Sequence, residues 1–387
     1  MRVAIFGESY LPHLSGVTIS TEAVARGLAA RGHDVLLVVP RPANGAAPGT
    51  AGMPGPDPRY AWLPSYQLPR VAPGGYRMPW PVPSVGLTAV DRFRPDVVHA
   101  QSPFVSGQLA RRAARRADAP LVFTHHTRFA DYRHYLGPLA APGARLTSAY
   151  LRRFWGACAA VIAPSQDLAV EILARRVEVI PTGVDVETVS AIKPIDPRQV
   201  HGWPRDAIVV VTMGRLAAEK SVELVLDAVA TAGAGDDRIR LLVVGGGPAA
   251  DALRRRATMP DLAGRVGFTG TLPHPEALAS VRGGDLFAFA SRTETQGLVL
   301  AEALAGGIPV VVRRGPGVAE TVRDGVDGLI VDDARGLSDA IAALAGNGER
   351  RAELAAAAGS GAGRFDLSIQ IARTEAVYLT LIEDGAS

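Results

Sequence analysis

Two carboxylates and two cations stand out by type and spacing. Residues 291–307 read SRTETQGLVLAEALAGG, with Glu294 in a polar loop and Glu302 inside an apolar run that predicts a helix. With Gly297 opening that helix, the backbone N–H groups of Gly297, Leu298 and Val299 lack intrahelical acceptors and can hold an anion. Glycine lets the anion come close. Glu302 then lies about 7.5 Å farther along the axis, the reach of a sugar beyond a phosphate. A carboxylate accepts two hydrogen bonds from a vicinal diol. Glu294, followed by Thr295 and Gln296, projects on the other side of the same anion. The spacing suits a nucleotide sugar, with diphosphate on the helix start, ribose on one glutamate and hexose near the other. The plainer alternative is a surface loop carboxylate and an ordinary exposed helix glutamate.

The cations lie in GRLAAEK, residues 214–220, just after the apolar run IVVVTM. Arg215 and Lys220 flank a turn at a strand's carboxyl end and are natural counter-charges for a departing diphosphate. The chain has only two lysines, Lys193 and Lys220, so a compact point charge at 220 is conspicuous. Surface ion pairing is the alternative. GGGP (245–248) follows another strand, and Gly16 in HLSGVT sits in a strand-to-helix loop that could meet the same phosphates. In THHTRFADYRHY (124–135), His125, His126 and His134 lack the spacing of a zinc motif. A neutral histidine there can bond a sugar hydroxyl, or simply be satisfied within the fold.

These residues need loops at strand ends, and the chain supplies them. Apolar strands alternate with helical stretches: 2–7, 36–39, 96–100, 121–126, 160–165 and 177–183, then 208–214, 240–247, 265–270, 285–291, 308–314 and 328–333. A helix is predicted over about 20–31 and another near 221–232. Short apolar strands separated by helices predict parallel sheets covered on both faces. The stretch 40–83 holds 12 of the 29 prolines and reads as an irregular excursion. The alternation restarts after IKPIDPRQVHGWP, which suits a linker. The expected α/β architecture is two doubly wound, Rossmann-like domains facing across a cleft, 1–190 and 191–368, with a helical tail, 369–387, that can pack on either domain, the first being preferred.

Composition narrows the class. The 387 residues suit two domains, and one cysteine, Cys158, excludes a disulfide framework. No run reaches the roughly 20 apolar residues of a membrane span, and Met1-Arg2 followed by a short strand does not read as a signal peptide. A cytoplasmic protein is expected, peripheral on the inner face of the membrane. Residues 1–190 carry 20 arginines and no lysine against 13 carboxylates, an excess of 7, whereas the remainder has 21 basic and 25 acidic residues. QLARRAARRAD (108–118) forms a basic strip, and RLTSAYLRRFWGAC (145–158) mixes Leu146, Tyr150, Leu151, Phe154 and Trp155 with arginine. Such helices can meet an anionic membrane, or be a solvated face and a core helix. Nucleic acid is excluded as a partner because aromatics do not interleave the arginines and no binding motif is present.

Together the motifs resemble the retaining glycosyltransferases of family 4, which have the GT-B fold. The resemblance spans nearly the whole chain: ETQGLVLAE as the family's paired-glutamate element, GRLAAEK, SGV as the glycine loop, VIPTGVD at the second-domain entry, and RGHDVLLV after the first helix. It implies that Arg215 and Lys220 bind the donor diphosphate, Glu302 the ribose and Glu294 the transferred sugar. It implies that Thr295, Gln296, Gly297, Leu298 and Val299 line the donor, Gly16 belongs to the first domain's diphosphate loop, and His126 contacts sugar near the reaction centre. Where the family usually has two glycines, this chain has Ser15-Gly16. ESYLPHLSGVTIS, THHTRFADYRHYL, PTGVD and TETQG resemble the branch that glucosylates diacylglycerol. That branch implies a hexose moved to a membrane lipid, and UDP-glucose or UDP-galactose is the expected donor; no metal is expected, because Arg215 and Lys220 supply the counter-charge and no Asp-x-Asp site is apparent, and no cofactor is expected. The alternatives are a GDP-mannose-dependent mannosyltransferase acting on phosphatidylinositol or a soluble acceptor, and a nucleotide-sugar 2-epimerase of the same fold.

Overall fold

The computed structural model describes residues 1–10, 15–42, 56–67, 77–80, 84–128 and 140–386. The chain divides into two compact units, Met1–Gly183 with Leu367–Ser387, and Val184–Asp366.

In the first unit, strands β1 (Arg2–Phe6), β2 (Asp34–Pro40), β3 (Arg59–Leu63), β6 (Val97–Ala100), β7 (Leu121–Thr124), β8 (Ala160–Ala163) and β9 (Val177–Val179) form one parallel sheet in the order β3-β2-β1-β6-β7-β8-β9. Strands β4 (Ser65–Gln67) and β5 (Arg77–Pro79) form a separate antiparallel pair. The helices are α1 (Gly16–Ala30), α2 (Ser84–Phe93), α3 (Val105–Ala117), α4 (Ala140–Trp155), α5 (Gln166–Ala169) and, from the far end of the chain, α15 (Leu367–Ala386). Alternate residues of a strand face opposite sides, so Phe6 joins Phe123 and Phe154 in one core and Ile5 joins Leu28 and Tyr378 in the other. Burial on both faces is why the inner strands β1, β2, β6, β7 and β8 read as apolar runs.

The second unit repeats the pattern. Strands β10 (Ile208–Met213), β11 (Ile239–Val244), β12 (Val266–Gly270), β13 (Leu286–Phe289), β14 (Val310–Arg313) and β15 (Gly328–Val331) form a parallel sheet in the order β12-β11-β10-β13-β14-β15. Helices α6 (Val186–Ala191), α7 (Pro197–His201), α8 (Val222–Gly233), α9 (Ala250–Ala257), α10 (His274–Arg282), α11 (Leu298–Ala305), α12 (Val318–Thr321), α13 (Ala334–Gly346) and α14 (Gly348–Gly361) accompany it. The strand order reverses beside β1 in one sheet and beside β10 in the other, which makes β1/β6 and β10/β13 the switch points where doubly wound sheets bind ligands.

Four expectations change. Helix α1 starts at Gly16, not near residue 20, because the Ser15 hydroxyl caps it by accepting from Thr18 N at 3.2 Å. The proline-rich excursion is not wholly irregular: between Pro58 and Pro64, RYAWL is long enough to add β3 to the sheet edge. The stretch read as a linker is packed structure. Arg282 donates to Ile192 O, Ile195 N donates to Ala279 O at 3.0 Å, and Arg198 pairs with Asp285. The units therefore meet at Gly183/Val184 and Asp366/Leu367 rather than at 190/191 and 368/369. There Val184 N donates to Phe365 O at 2.7 Å, so entry to and exit from the second unit are zipped together.

Candidate active site

In the second unit the two switch-point strands deliver the two singled-out motifs. Strand β10 is buried throughout and runs into Gly214 and Arg215, and β13 runs into the loop 291–296. The first loop is held by its neighbour. Gly214 N donates to Val244 O at 3.0 Å and Leu216 N to Gly246 O at 2.9 Å. A Cβ at Gly245 would stand 2.1 Å from Gly214 O, so GGGP is there for backbone-to-backbone packing. A 3-10 turn, Ala218–Lys220, follows and buries Glu219, which receives the Arg215 guanidinium. The rest of Arg215 stays exposed. Lys220 Nζ reaches Glu294 Oε1 at 2.5 Å, joining the two motifs in one ion pair.

The second loop is braced from behind by α12. Thr321 Oγ1 donates to Gln296 O at 2.7 Å, and Gly317 lies against the backbone of Thr295 and Gln296. Gly297 does not itself begin the helix. It is the N-cap, at φ +79°, a left-handed conformation that glycine adopts without strain, and α11 begins at Leu298. Helix geometry leaves the first N–H groups of α11 without intrahelical acceptors. Glu302 is not an exposed helix residue: it is buried (5 % exposed), and Oε1 lies 2.8 Å from Nε2 of His274, the first residue of α10. Burial works against the His274 imidazolium, but the Glu302 carboxylate outweighs it and holds that pKa above the ordinary value. Each glutamate thus has a basic partner of its own, Lys220 for Glu294 and His274 for Glu302. His274 was missed because only Pro273 and Pro275 marked its position, and they signalled a helix start.

The first unit's candidates sit among mostly neutral partners. Ser15 and Gly16 form the capped start of α1, with Gly16 exposed. His126 follows β7, and its Nε2 lies 2.6 Å from Oε1 of Gln101, the residue after β6. Burial alone depresses the His126 pKa to about 4, so the ring is neutral at pH 7. His125 points into the core, edge-on to Phe123 and Trp155, and burial is the largest cause of a pKa near 3. His134 lies outside the described residues. Glu8, after β1, caps α3 by accepting from Ser106 N at 2.8 Å and Oγ at 2.7 Å.

The basic helices divide differently from expectation. Leu151, Phe154 and Trp155 of α4 are core residues, because they pack on β7 and α3. Leu146 is 73 % exposed and Phe104 41 %, and with Tyr150 and Leu109 they line an apolar depression of about 580 Å³ between α3 and α4. A second depression of about 620 Å³ near the other end of α3 is lined by Arg111, Arg115, Arg153 and Arg175, with Asp118 as the acidic member. Arg116 is tied to Asp91. No described helix is long and apolar enough to cross a membrane.

Comparison with known proteins fits this geometry. The pattern of Glycosyltransferase Family 4 matches residues 14–188, and that of Glycosyl transferases group 1 matches residues 195–360. A GDP-mannose-dependent alpha-mannosyltransferase of Corynebacterium glutamicum is 32 % identical, over 93 % of this chain and 84 % of its own. The chain is a family 4 glycosyltransferase. An alpha-monoglucosyldiacylglycerol synthase of Acholeplasma laidlawii is 27 % identical to this glycosyltransferase over 99 % of this chain and 98 % of its own. The crystal structure of Anabaena HepE in complex with UDP superposes with a TM-score of 0.74 at 20 % identity, covering 98 % of this chain and all of that one. The two Rossmann-like parallel sheets are those of the GT-B fold, and the enzyme is a hexosyltransferase.

Proposed function

We propose that this glycosyltransferase moves a hexose, with retention, from a nucleoside diphosphate sugar to a lipid hydroxyl such as that of diacylglycerol. The observation that carries the reading is the Lys220–Glu294 pair at the carboxyl ends of β10 and β13, beside the start of α11. A diphosphate at that helix start takes Lys220 as its counter-charge and releases Glu294 to turn toward the hexose. Arg215 adds charge from its exposed face. Thr295, Gln296, Leu298 and Val299 line the same loop and helix start, and Glu302 holds the ribose diol. The bond from the anomeric carbon to the diphosphate oxygen breaks on the face where the acceptor oxygen bonds. The acceptor's proton passes to the departing phosphate. The developing negative charge falls on Lys220, Arg215 and the helix start, so no metal and no cofactor enter the scheme. Gly16 at the start of α1 is an additional phosphate contact, and neutral His126 bonds a sugar hydroxyl.

UDP-glucose or UDP-galactose is the preferred donor, and the alpha-monoglucosyldiacylglycerol synthase relative favours a glucosyl group. The mannosyltransferase relative supports the GDP-mannose donor of the second reading, in which the acceptor is phosphatidylinositol or a soluble molecule. The arginine-lined depression and the neighbouring exposed Leu146 and Phe104 support peripheral attachment to an anionic membrane from the cytoplasmic side. Incubating the protein with each of UDP-glucose, UDP-galactose and GDP-mannose, with and without anionic vesicles containing diacylglycerol, tests this. A glycosylated diacylglycerol formed only with vesicles is expected. Transfer to a soluble acceptor alone would move the enzyme to the other branch, and sugar isomerisation without acceptor would make it an epimerase.

A further inference from the structure

His126 does not stand alone at the end of β7. Its Nε2 is 2.6 Å from Gln101 Oε1, and Gln101 is buried, with its backbone N–H donating to Phe6 O at 2.9 Å. The other end of the same amide rests on a second histidine: Gln101 Nε2 is 3.3 Å from Nδ1 and 3.2 Å from Nε2 of His99. Both nitrogens of His99 already have closer partners. Nδ1 meets the Tyr378 hydroxyl at 2.6 Å, and Nε2 meets Thr124 Oγ1 at 2.7 Å. His99 is 1 % exposed and Tyr378 is fully buried, the two rings meeting edge-on at 5.7 Å. Every member belongs to the first unit, and Tyr378 comes from α15.

Hydroxyls can donate or accept, so Tyr378 and Thr124 hold the His99 ring in either neutral tautomer. The clamped ring then fixes the amide that leans on it, with nitrogen against His99 and oxygen toward His126. We infer that Gln101 is a positioning residue for transfer: its amide oxygen accepts the Nε2–H of His126, setting the ring's orientation and leaving the lone pair on Nδ1. That tautomer is the one whose Nδ1 accepts a hydrogen bond from a hydroxyl. The inference rests on the reading that His126 contacts sugar. It adds that an uncharged residue after β6, with α15 behind it, decides how His126 does so. Among the described residues, His99 and His125 couple to the ring; burial is the largest cause that keeps both neutral, and Arg128 also works against charge on His125. The Gln101 amide oxygen can accept an N–H from the neutral ring without bringing a charge to it.

The test uses the full chain as wild type, Gln101→Leu, Gln101→Glu, Tyr378→Phe and His126→Asn, with ¹⁵N imidazole spectra and transfer from whichever of UDP-glucose, UDP-galactose and GDP-mannose the wild type consumes. The wild type is expected to show His126 as the Nε2–H tautomer at pH 7. Gln101→Leu should lose that preference and about 10- to 100-fold in kcat, with donor KM within about twofold and the melting temperature kept. Gln101→Glu, nearly isosteric, should raise the His126 pKa and move the acidic limb of kcat upward by about one unit or more. Tyr378→Phe should show the same kcat loss in weaker form. If Gln101→Leu keeps wild-type kcat while His126→Asn loses it, the inference falls and the role of His126 stands. If His126→Asn keeps full turnover, that role falls, and the spectra judge the hydrogen bond alone. An Nδ1–H tautomer in the wild type, or one unchanged in Gln101→Leu, overturns it.

Discussion

The two units share a strand order and differ in what they put at its reversal. In the second, the loops after β10 and β13 carry Arg215–Glu219 and Lys220–Glu294, and His274–Glu302 stands close behind. In the first, the residues after β6 and β7 are Gln101 and His126, joined by a neutral hydrogen bond and backed by His99, Thr124 and Tyr378. One topology therefore supports two electrostatic designs. A diphosphate needs mobile counter-charge, and an ion pair keeps that charge satisfied until the ligand arrives. A hydroxyl needs an oriented lone pair, which a charged neighbour would perturb. The strand order supplies the place, and the side chains alone decide the chemistry.

The contrast breaks most sharply at Lys220. Lys220→Ala is expected to lower kcat about 100- to 1000-fold, the scale of losing a preorganised transition-state charge. Its stability should fall by no more than about 2 kcal/mol, since only one partly buried partner is orphaned. Steady-state kinetics beside thermal melts check both, and unchanged turnover would remove Lys220 from the mechanism. Next in size is the membrane surface. Reversing both Arg115 and Arg153 to glutamate should cost at least about 1 kcal/mol for each arginine lost, roughly 30-fold together in partition to anionic vesicles. Partition of the wild type that ignores salt would argue against an electrostatic surface.

The His274–Glu302 pair sharpens the comparison on a smaller scale. His274→Ala leaves a buried carboxylate without its partner and should destabilise the second unit by about 1–3 kcal/mol, while raising donor KM through a misplaced Glu302. Chemical denaturation read by a probe in that unit measures the first effect. The smallest expected effect is in pH. The folded-state pKa of His274 lies above its ordinary 6.5. The pair's contribution is therefore complete below about pH 6.5 and is lost as pH rises through the raised folded value. Melting curves across that window should show a decline that His274→Asn lacks. A decline unchanged in the variant would assign it to another group.

Much of this was legible in the sequence, for identifiable reasons. Strands such as IVVVTM are buried on both faces and so cannot be mistaken for half-exposed ones, and glycines and charges after them marked the loops. Strand β3 escaped because its five residues lie between prolines that dominate the local signal. Pairings escaped because they are set by topology rather than by proximity along the chain: Lys220 and Glu294 are 74 residues apart, and His99 and Tyr378 are 279 apart. Gln101 escaped for another reason. A single amide after a strand carries no pattern, and its meaning comes entirely from the two imidazoles on either side.

The return of α15 to the first unit has a consequence for synthesis on the ribosome. Residues 184–366 emerge with everything their sheet requires and can fold while the polypeptide is still growing. The first unit, though begun first, lacks Ile371, Val377, Tyr378 and Leu381 of one core until residues 367–386 have been made. The usual N-to-C order of domain completion is thereby inverted. Helix α15 completes one core of the sheet that is made first, so a nascent chain stalled at residue 366 should hold a finished second unit and an unfinished first.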